Sequence, residues 1–101
     1  MGVNMPYRIE EIKIKAIPIV KRYGIKSLSL FGSYARNEAD EDSDLDFFID
    51  KGNLKGLFEY YSLIDELENT FKCHVDLITT GIDDNDFLNQ IHKDEVILYE
   101  R

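Results

Sequence analysis

The spacing of apolar and polar residues along the chain predicts four helices and at least three strands. Apolar residues recur at helical intervals over residues 7–23, and Gly24 follows as a helix stop. Pro18 lies within this segment and lacks a backbone N–H, so we expect a kink or a break close to it. Residues 26–31 alternate between polar and apolar and predict a strand that stops at Gly32.

A short helix, a strand and a long helix are predicted for the central part of the chain. Ser33 is a suitable N-cap for a helix that reaches residue 39, and a strand follows over residues 44–50. Residues 54–71 carry the strongest helical periodicity, and Asn53 is a suitable N-cap for them. The apolar stripe of this helix is expected to consist of Leu54, Leu57, Phe58, Tyr61, Ile64, Leu67 and Phe71.

The last part of the chain completes a mixed sheet. Residues 73–79 predict a third strand, Asp83 or Asp84 is expected to cap a helix ending near His92, and residues 96–100 form a short strand or a packed tail. Few residues separate the first two strands, which favours an antiparallel pair, whereas the long helix before the third strand favours a parallel crossover. We therefore expect one α+β domain over residues 1–101, with a small mixed β-sheet and helices packed on one face.

The charge of the chain limits its partners. It has 101 residues and a formal net charge of −8. Direct binding to nucleic acid or to an anionic membrane is not expected, because such surfaces require Lys and Arg to displace counterions. An anionic small molecule remains compatible with this charge if metal ions intervene. Cys73 is the single cysteine, and no apolar run approaches the roughly 18 residues of a membrane span, so we expect a cytoplasmic protein.

Six acidic residues lie between positions 38 and 46, immediately before the apolar run at 47–49. A solvated loop is the simplest interpretation for four of them, namely Glu38, Asp40, Glu41 and Asp42. Asp44 and Asp46 differ, because residues two apart in a strand project from the same face. Two like charges about 4 Å apart repel by about 4 kcal/mol at an effective dielectric of 20, so a proton or a cation is expected there. Paired carboxylates suit Mg²⁺, which completes its coordination with waters and substrate phosphate oxygens.

Two other kinds of metal site are not expected. A calcium-binding loop counted from Asp42 would have Phe47 at its sixth position, where Gly is required, and Asn53 at its twelfth, where Glu is required. A zinc site at Cys73 and His74 is disfavoured because the two side chains would face opposite sides of a strand.

The turn after the first strand and an acid in the third strand extend the candidate site. If the first two strands are antiparallel, Gly32 and Ser33 lie next to Asp44 and Asp46. Gly32 permits close approach of a ligand, and the N–H groups of a helix beginning at Ser33 favour an anion such as a triphosphate. Asp76 lies in an apolar strand, where it is either a satisfied buried carboxylate or a third metal ligand. Three converging carboxylates would suit two metal ions.

The motif formed by these residues resembles that of the DNA polymerase β-like nucleotidyltransferase superfamily. Gly32-Ser33 is followed by ten residues and then by Asp44-x-Asp46, and the stretch "FGSYARNEADEDSDLDFFID" is similar in particular to the minimal nucleotidyltransferases, the MNT proteins of bacteria and archaea. The similarity extends from the helix before "LSLFGS" through the strand "HVDLI". One departure is Asn37, which stands where the family usually has Gly; Asn tolerates a left-handed backbone better than most residues.

The resemblance implies a fold, a reaction and a set of roles. The reaction transfers a nucleoside monophosphate from a nucleoside triphosphate, here ATP, to a hydroxyl group and releases pyrophosphate. By position, Gly32 and Ser33 would hold the triphosphate, and Arg36 would contact phosphate or instead pair with the acidic loop. Two Mg²⁺ ions would be held by Asp44, Asp46 and Asp76, and Asp76 matches the family's third carboxylate, which helps to activate the attacking hydroxyl. Many MNT proteins are antitoxins that attach AMP to a tyrosine of a HEPN-domain ribonuclease toxin, which implies such a toxin as partner and a hetero-oligomer with it.

Three hypotheses of function follow. The first is a Mg²⁺-dependent adenylyltransferase acting on a partner protein. The second is a binding module that neutralises a toxin by contact alone, with a decayed active site. The third is a detached catalytic subunit that modifies a small molecule, which would require a second subunit to bind the acceptor. An intact set of Asp44, Asp46 and Asp76 favours an enzyme, whereas Asn37 favours the binding module.

Overall fold

A computed structural model describes residues 7–79 and 85–101. The elements in this part of the chain are α1 (Ile9–Arg22), β1 (Ser27–Phe31), α2 (Gly32–Ala35), β2 (Leu45–Asp50), α3 (Gly56–Phe71), β3 (Val75–Thr79), α4 (Asn85–Asp94) and β4 (Val96–Glu100). The proposed caps of the last helix, Asp83 and Asp84, lie outside the described residues. None of the helices found there is long and apolar enough to cross a membrane.

The four strands form one mixed sheet in the order β3-β2-β1-β4. β1 is antiparallel to β2 and to β4, and β2 is parallel to β3 across the α3 crossover. Both connections predicted from segment lengths are therefore confirmed. The C-terminal segment "VILYE" is a strand that pairs with β1, which decides between the two interpretations given for it.

The two long helices cover one face of the sheet. Leu28 and Leu30 of β1 alternate with residues that face the opposite side of the sheet, and they join Phe47 and Ile49 of β2 in one buried cluster. The ring of Phe47 lies 6.3 Å from that of Phe71 in α3, and α1 contributes four buried residues to the same cluster, Ile12, Ala16, Ile19 and Val20. This face is the core of the molecule.

The fourth helix contacts the opposite face. Phe48 follows Phe47 in β2 and so projects to the other side, where its ring meets that of His92 of α4 with centroids 5.6 Å apart. Ile91 of α4 is 2% exposed. The expected packing of helices on one face therefore describes α1 and α3, while α4 covers part of the second face.

Helix α1 runs without interruption through Pro18. Of the kink or break that we expected between Ile14 and Pro18, the break is therefore absent. The carbonyl that Pro18 leaves without an amide partner belongs to Ile14, whose side chain is 69% exposed, so this side of the helix faces water. The start of the helix is fixed by the backbone N–H of Arg8, which donates to the Glu11 carboxylate at 3.2 Å.

The predicted apolar stripe is wrong at three positions near the start of α3, whereas Leu54 before the helix and Leu67 and Phe71 within it are buried as expected. The side chains of Leu57, Phe58 and Tyr61 are 70%, 90% and 62% exposed. The residues of α3 that are buried are Leu63, Leu67 and Phe71. Both sets have helical spacing, so periodicity alone does not decide which face meets the sheet. The helix also begins later than predicted, at Gly56, with Lys55 rather than Asn53 at the N-cap position.

Candidate active site

The turn between β1 and α2 lies directly against a carboxylate of β2. Phe31, the last residue of β1, is paired with Asp46 across the antiparallel ladder. Gly32 has φ +73°, and a Cβ at this position would collide with the Oδ2 atom of Asp46. Glycine is therefore required twice, for a left-handed backbone and for close approach. The expectation that the end of the first strand lies beside the acids of the second is confirmed.

The three predicted carboxylates lie together on one face of the sheet. Asp46 and Asp76 are direct partners in the parallel β2–β3 ladder, so their side chains project side by side. Asp44 immediately precedes β2, and its carboxylate lies within 4.8 Å of a carboxylate oxygen of Asp76. Asp44 and Asp76 are exposed, whereas Asp46 is partly buried. Asp76 is thus not the satisfied buried carboxylate that we considered as its alternative.

The crowding of these acids alters the acidity of Asp46. Burial, a hydrogen bond with Asp76 and the charges of Asp76 and Asp44 together raise the pKa of Asp46 to about 6 from its ordinary value of 3.8, and the nearby Arg36 acts weakly in the opposite direction. A site that disfavours its own ionised form in this way gains from a bound cation. Carboxylate oxygens are the ligands that Mg²⁺ prefers, so the donor set fits this metal.

His74 belongs to the same cluster, although it was not predicted as a site residue. Its Nε2 atom lies 3.0 Å from Oδ1 of Asp76, and its Nδ1 atom lies 3.1 Å from Oε2 of Glu68 near the end of α3. A hydrogen bond to Asp76 raises the pKa of His74. The spacing of His74 and Asp76, two apart at the start of a strand, was a usable signal, because such residues share a face. The approach of Glu68 had no local signal in the sequence.

The predicted phosphate-binding residues lie beside the carboxylates, but their local structure differs in part from expectation. Helix α2 is only one turn long and begins at Gly32 with Phe31 at its N-cap, so Ser33 is not the cap. Arg36 pairs with Glu38, with 2.8 Å between Nε and Oε1, and approaches Asp94 of α4 at 3.6 Å. The ion pair with the acidic loop, our alternative for Arg36, is therefore present.

A cavity of about 320 Å³ separates the glycine turn from α4. It is lined by Phe31, Gly32 and Arg36 on one side and by Gln90, Ile91, Lys93 and Asp94 on the other. Asp46 lies next to this cavity, since a Cβ added to Gly32, which lines it, would meet the Asp46 carboxylate. The residues of α4 that line it were not identified from the sequence, because no pattern places α4 over this end of the sheet.

The remaining acids form the exposed loop that we expected. Asp40 stabilises this loop, because its Oδ1 atom accepts hydrogen bonds from the backbone N–H of Asp42 and from the Ser43 hydroxyl. Glu38, Asp40, Glu41 and Asp42 are all exposed. Asn37, at the beginning of this loop, has φ +61°, so the left-handed turn is retained with Asn in place of Gly.

Residues 13–101 match the family described as Polymerase beta, Nucleotidyltransferase. The chain belongs to this family of nucleotidyltransferases. Its relatives include MJ0435 of Methanocaldococcus jannaschii, named as a candidate protein adenylyltransferase, which is 46% identical over 71 residues, covering 70% of this chain and 76% of that protein. The protein adenylyltransferase MntA of Thermococcus cleftensis is 38% identical over 58 residues, which are 57% of this chain and 59% of that protein.

Solved structures share the fold. One described as a candidate minimal nucleotidyltransferase superposes with a TM-score of 0.73 at 26% identity, covering 89% of this chain and 95% of that one. A toxin–antitoxin structure with AMP-PNP gives a TM-score of 0.77 at 19% identity, covering 88% and 73%. A complex of a tri-AMPylated Shewanella oneidensis HEPN toxin with an MNT antitoxin gives 0.71 at 17% identity, covering 91% and 72%. The predicted α+β nucleotidyltransferase fold is confirmed.

Proposed function

We propose that this nucleotidyltransferase transfers AMP from ATP to a hydroxyl group of a partner protein, with Mg²⁺ held by Asp44, Asp46 and Asp76. The observation that carries the proposal is the convergence of these carboxylates next to the Gly32 turn. ATP is supported as the donor by the AMP-PNP in a structure of the same fold, and a protein acceptor is supported by relatives named protein adenylyltransferases.

The acceptor that we propose is a tyrosine of a HEPN-domain toxin, which would make this chain an antitoxin. The support is the Shewanella complex, in which an MNT antitoxin is bound to a tri-AMPylated HEPN toxin. The acidic surface of this chain is compatible with such a partner, since a ribonuclease must present positive charge to bind its own polyanionic substrate.

In the proposed reaction, the oxygen of the acceptor hydroxyl bonds to the α-phosphorus of ATP. The bond between the α-phosphorus and the oxygen that bridges it to the β-phosphorus breaks, and pyrophosphate leaves. Asp76 is exposed at the open side of the site and would receive the hydroxyl proton. Gly32 and Ser33 would position the triphosphate, and Arg36 would exchange its pairing with Glu38 for a phosphate contact. When bound, Mg²⁺ supplies positive charge that stabilises the charge developing on the phosphate oxygens.

The decisive experiment is transfer of label from ATP to the product of the neighbouring gene in the presence of Mg²⁺. Wild-type protein should label the partner, and Asp44→Asn and Asp46→Asn should lower the rate by at least about 100-fold, the scale for removal of an essential catalytic group. Glu41→Gln, which removes the same charge from the exposed loop, should label at the wild-type rate and serves as the control.

The rival hypothesis of a non-catalytic antitoxin predicts a different result. The partner would associate with this chain and lose its ribonuclease activity, but no label would reach it. The structure weakens the support that Asn37 gave to this rival, because Asn37 keeps the left-handed backbone of the turn in place of Gly.

A further inference from the structure

His74 lies between two carboxylates that hold it in a fixed orientation. Its Nδ1 atom is 3.1 Å from Oε2 of Glu68, and its Nε2 atom is 3.0 Å from Oδ1 of Asp76. A ligand atom of Asp44, one ring nitrogen of His74 and a carboxylate oxygen of Asp76 all lie within 4.8 Å of one another. Nitrogen and oxygen donors therefore converge on one point at the open edge of the sheet.

Glu68 is itself anchored to the strand that carries the cluster. Its Oε2 atom accepts a hydrogen bond from the backbone N–H of Val75 at 3.0 Å, which ties the end of α3 to the start of β3. In metalloproteins, a histidine ligand usually donates a hydrogen bond from one ring nitrogen to a carboxylate. This hydrogen bond orients the other ring nitrogen toward the metal. Glu68 has this position relative to His74.

The charge balance around His74 favours a cation. Nε2 of His74 and Oδ1 of Asp76 lie 3.0 Å apart, and an imidazole nitrogen and a carboxylate oxygen can both bind a divalent ion. Asp44 and Asp46 add further negative charge at the same place.

We propose that His74 is a nitrogen ligand of a divalent metal ion shared with Asp44 and Asp76, and that it makes the site prefer Mn²⁺ to Mg²⁺. Imidazole suits transition metals, whereas Mg²⁺ prefers an all-oxygen shell and keeps its waters, so loss of the nitrogen should affect the two ions unequally. The inference goes beyond the proposed function, which assigns only the three carboxylates, and it rests on that function for the metal dependence of the site.

The second histidine provides a matched control. His92 of α4 also pairs through Nδ1 with one carboxylate, Glu95, at 2.9 Å, and it is similarly exposed. Its ring packs edge-on against Phe48, and its ion pair is with Glu95 rather than with a member of the cluster. His92→Gln therefore removes the same chemical group and the same type of ion pair without touching the proposed ligand set.

The experiment measures binding of Mn²⁺ and Mg²⁺ to the full chain, without nucleotide, for wild type, His74→Gln, Glu68→Gln and His92→Gln. We expect His74→Gln to weaken Mn²⁺ binding by about tenfold or more and Mg²⁺ binding by less than about twofold. Glu68→Gln should weaken Mn²⁺ in the same direction, and His92→Gln should change neither. Pulsed electron paramagnetic resonance of bound Mn²⁺ should show coupling to a ¹⁴N nucleus in wild type and in His92→Gln, and none in His74→Gln.

The proposal is overturned if wild type shows no ¹⁴N coupling, or if His74→Gln weakens both ions equally or neither. Either binding result would mean that His74 only bridges Glu68 and Asp76 as a cation. The wild-type spectrum requires no variant, so the test survives a variant that fails to fold. A partner that receives no label while Mn²⁺ binds with nitrogen coupling would reject the proposed function and leave this inference standing.

Discussion

Gly32 occupies the position where the backbone and the candidate chemistry meet. Gly32 and Gly56 both have positive φ, +73° and +68°, but only at Gly32 would a Cβ meet another group, the carboxylate of Asp46. At Gly56 no atom of the described residues lies within 4 Å of the added atom. The two glycines therefore separate the effect of backbone strain from the effect of close approach.

Gly32→Ala should destabilise the fold more than Gly56→Ala does. Gly56→Ala is expected to lower the free energy of unfolding by about 1 kcal/mol, the strain of a left-handed alanine. Gly32→Ala adds the displacement of Asp46 and should also abolish AMP transfer. Denaturant unfolding of the two variants and the labelling assay check this. Equal losses of stability with transfer intact would show that the contact between Gly32 and Asp46 has no consequence.

Asp46 should make the stability of the metal-free protein depend on pH. Its pKa is raised to about 6 in the fold from 3.8, so folding disfavours the ionised carboxylate. The stabilising contribution of the protonated group is complete below about pH 4 and is lost as the pH rises through about 6. Asp46→Asn removes this dependence, and at pH 7 it should be more stable than wild type by about 1 kcal/mol, allowing for solvent screening of a partly exposed group.

Urea unfolding in EDTA at pH 4 and at pH 7 measures this difference. The advantage of Asp46→Asn over wild type should be larger at pH 7 than at pH 4. A variant that is less stable than wild type at pH 7 would mean that the carboxylate supports the fold, and our interpretation of Asp46 as a strained ligand would be wrong.

At the scale of the residue, the sequence predicted which side chains come together, because they are close in the chain or paired by simple topology. Asp44 and Asp46 share a face by alternation alone, and Gly32 meets them because a short connection requires antiparallel strands. His74 was missed as a site residue although it stands two positions before Asp76. Its neighbour Cys73 made the pair a candidate for a zinc site, and the face that His74 shares with the acids was therefore not recognised.

At the scale of the element, helix α3 shows how a periodic pattern can fail. Its first turns display Leu57, Phe58 and Tyr61 to solvent, and its buried residues begin at Leu63. Tyr60, next to Tyr61 in the chain, donates its hydroxyl to the Leu77 carbonyl at 2.6 Å, and this contact holds its side of the helix toward β3. Such a tertiary contact has no counterpart in the local pattern, and both stripes satisfy the same spacing.

Two truncations on α3 should therefore have very different effects. Leu67→Ala, at a side chain with no exposed surface, is expected to cost about 2–4 kcal/mol of unfolding free energy through lost burial and the cavity left behind. Phe58→Ala, at a side chain that is 90% exposed, should change stability by less than about 0.5 kcal/mol. Thermal or urea unfolding of the isolated protein checks both. A large loss at Phe58 would mean that the predicted stripe is buried after all.

At the scale of the whole molecule, the site is built by the sheet order. Placing β2 between β1 and β3 brings Phe31, Asp46 and Asp76 into one row across three strands. The lengths of the connecting segments were enough to predict the antiparallel and parallel connections on which this row depends. They were not enough to predict that α4 would cover the second face, because its contact between His92 and Phe48 joins segments far apart in the chain.

The net charge of −8 adds a general repulsion that any salt relieves, so stabilisation by a specific metal must be separated from screening. Mg²⁺ should raise the melting temperature of wild type more than NaCl at equal ionic strength, because an ion that binds only the folded state stabilises it, by about 2.7 kcal/mol at 100 times its Kd.

Two double variants distinguish binding of Mg²⁺ at the carboxylate cluster from the general effect of a lower net charge. Asp44→Asn with Asp46→Asn and Glu41→Gln with Asp42→Asn each remove two negative charges, the first from the carboxylate cluster and the second from the exposed loop. The first should respond to Mg²⁺ no more than to NaCl, since screening is all that remains. The second should keep the extra stabilisation of wild type. If both variants keep the extra stabilisation by Mg²⁺, the ion binds elsewhere on this acidic surface. If both lose it, the effect of Mg²⁺ depends on total charge rather than on the three carboxylates that β2 and β3 bring together.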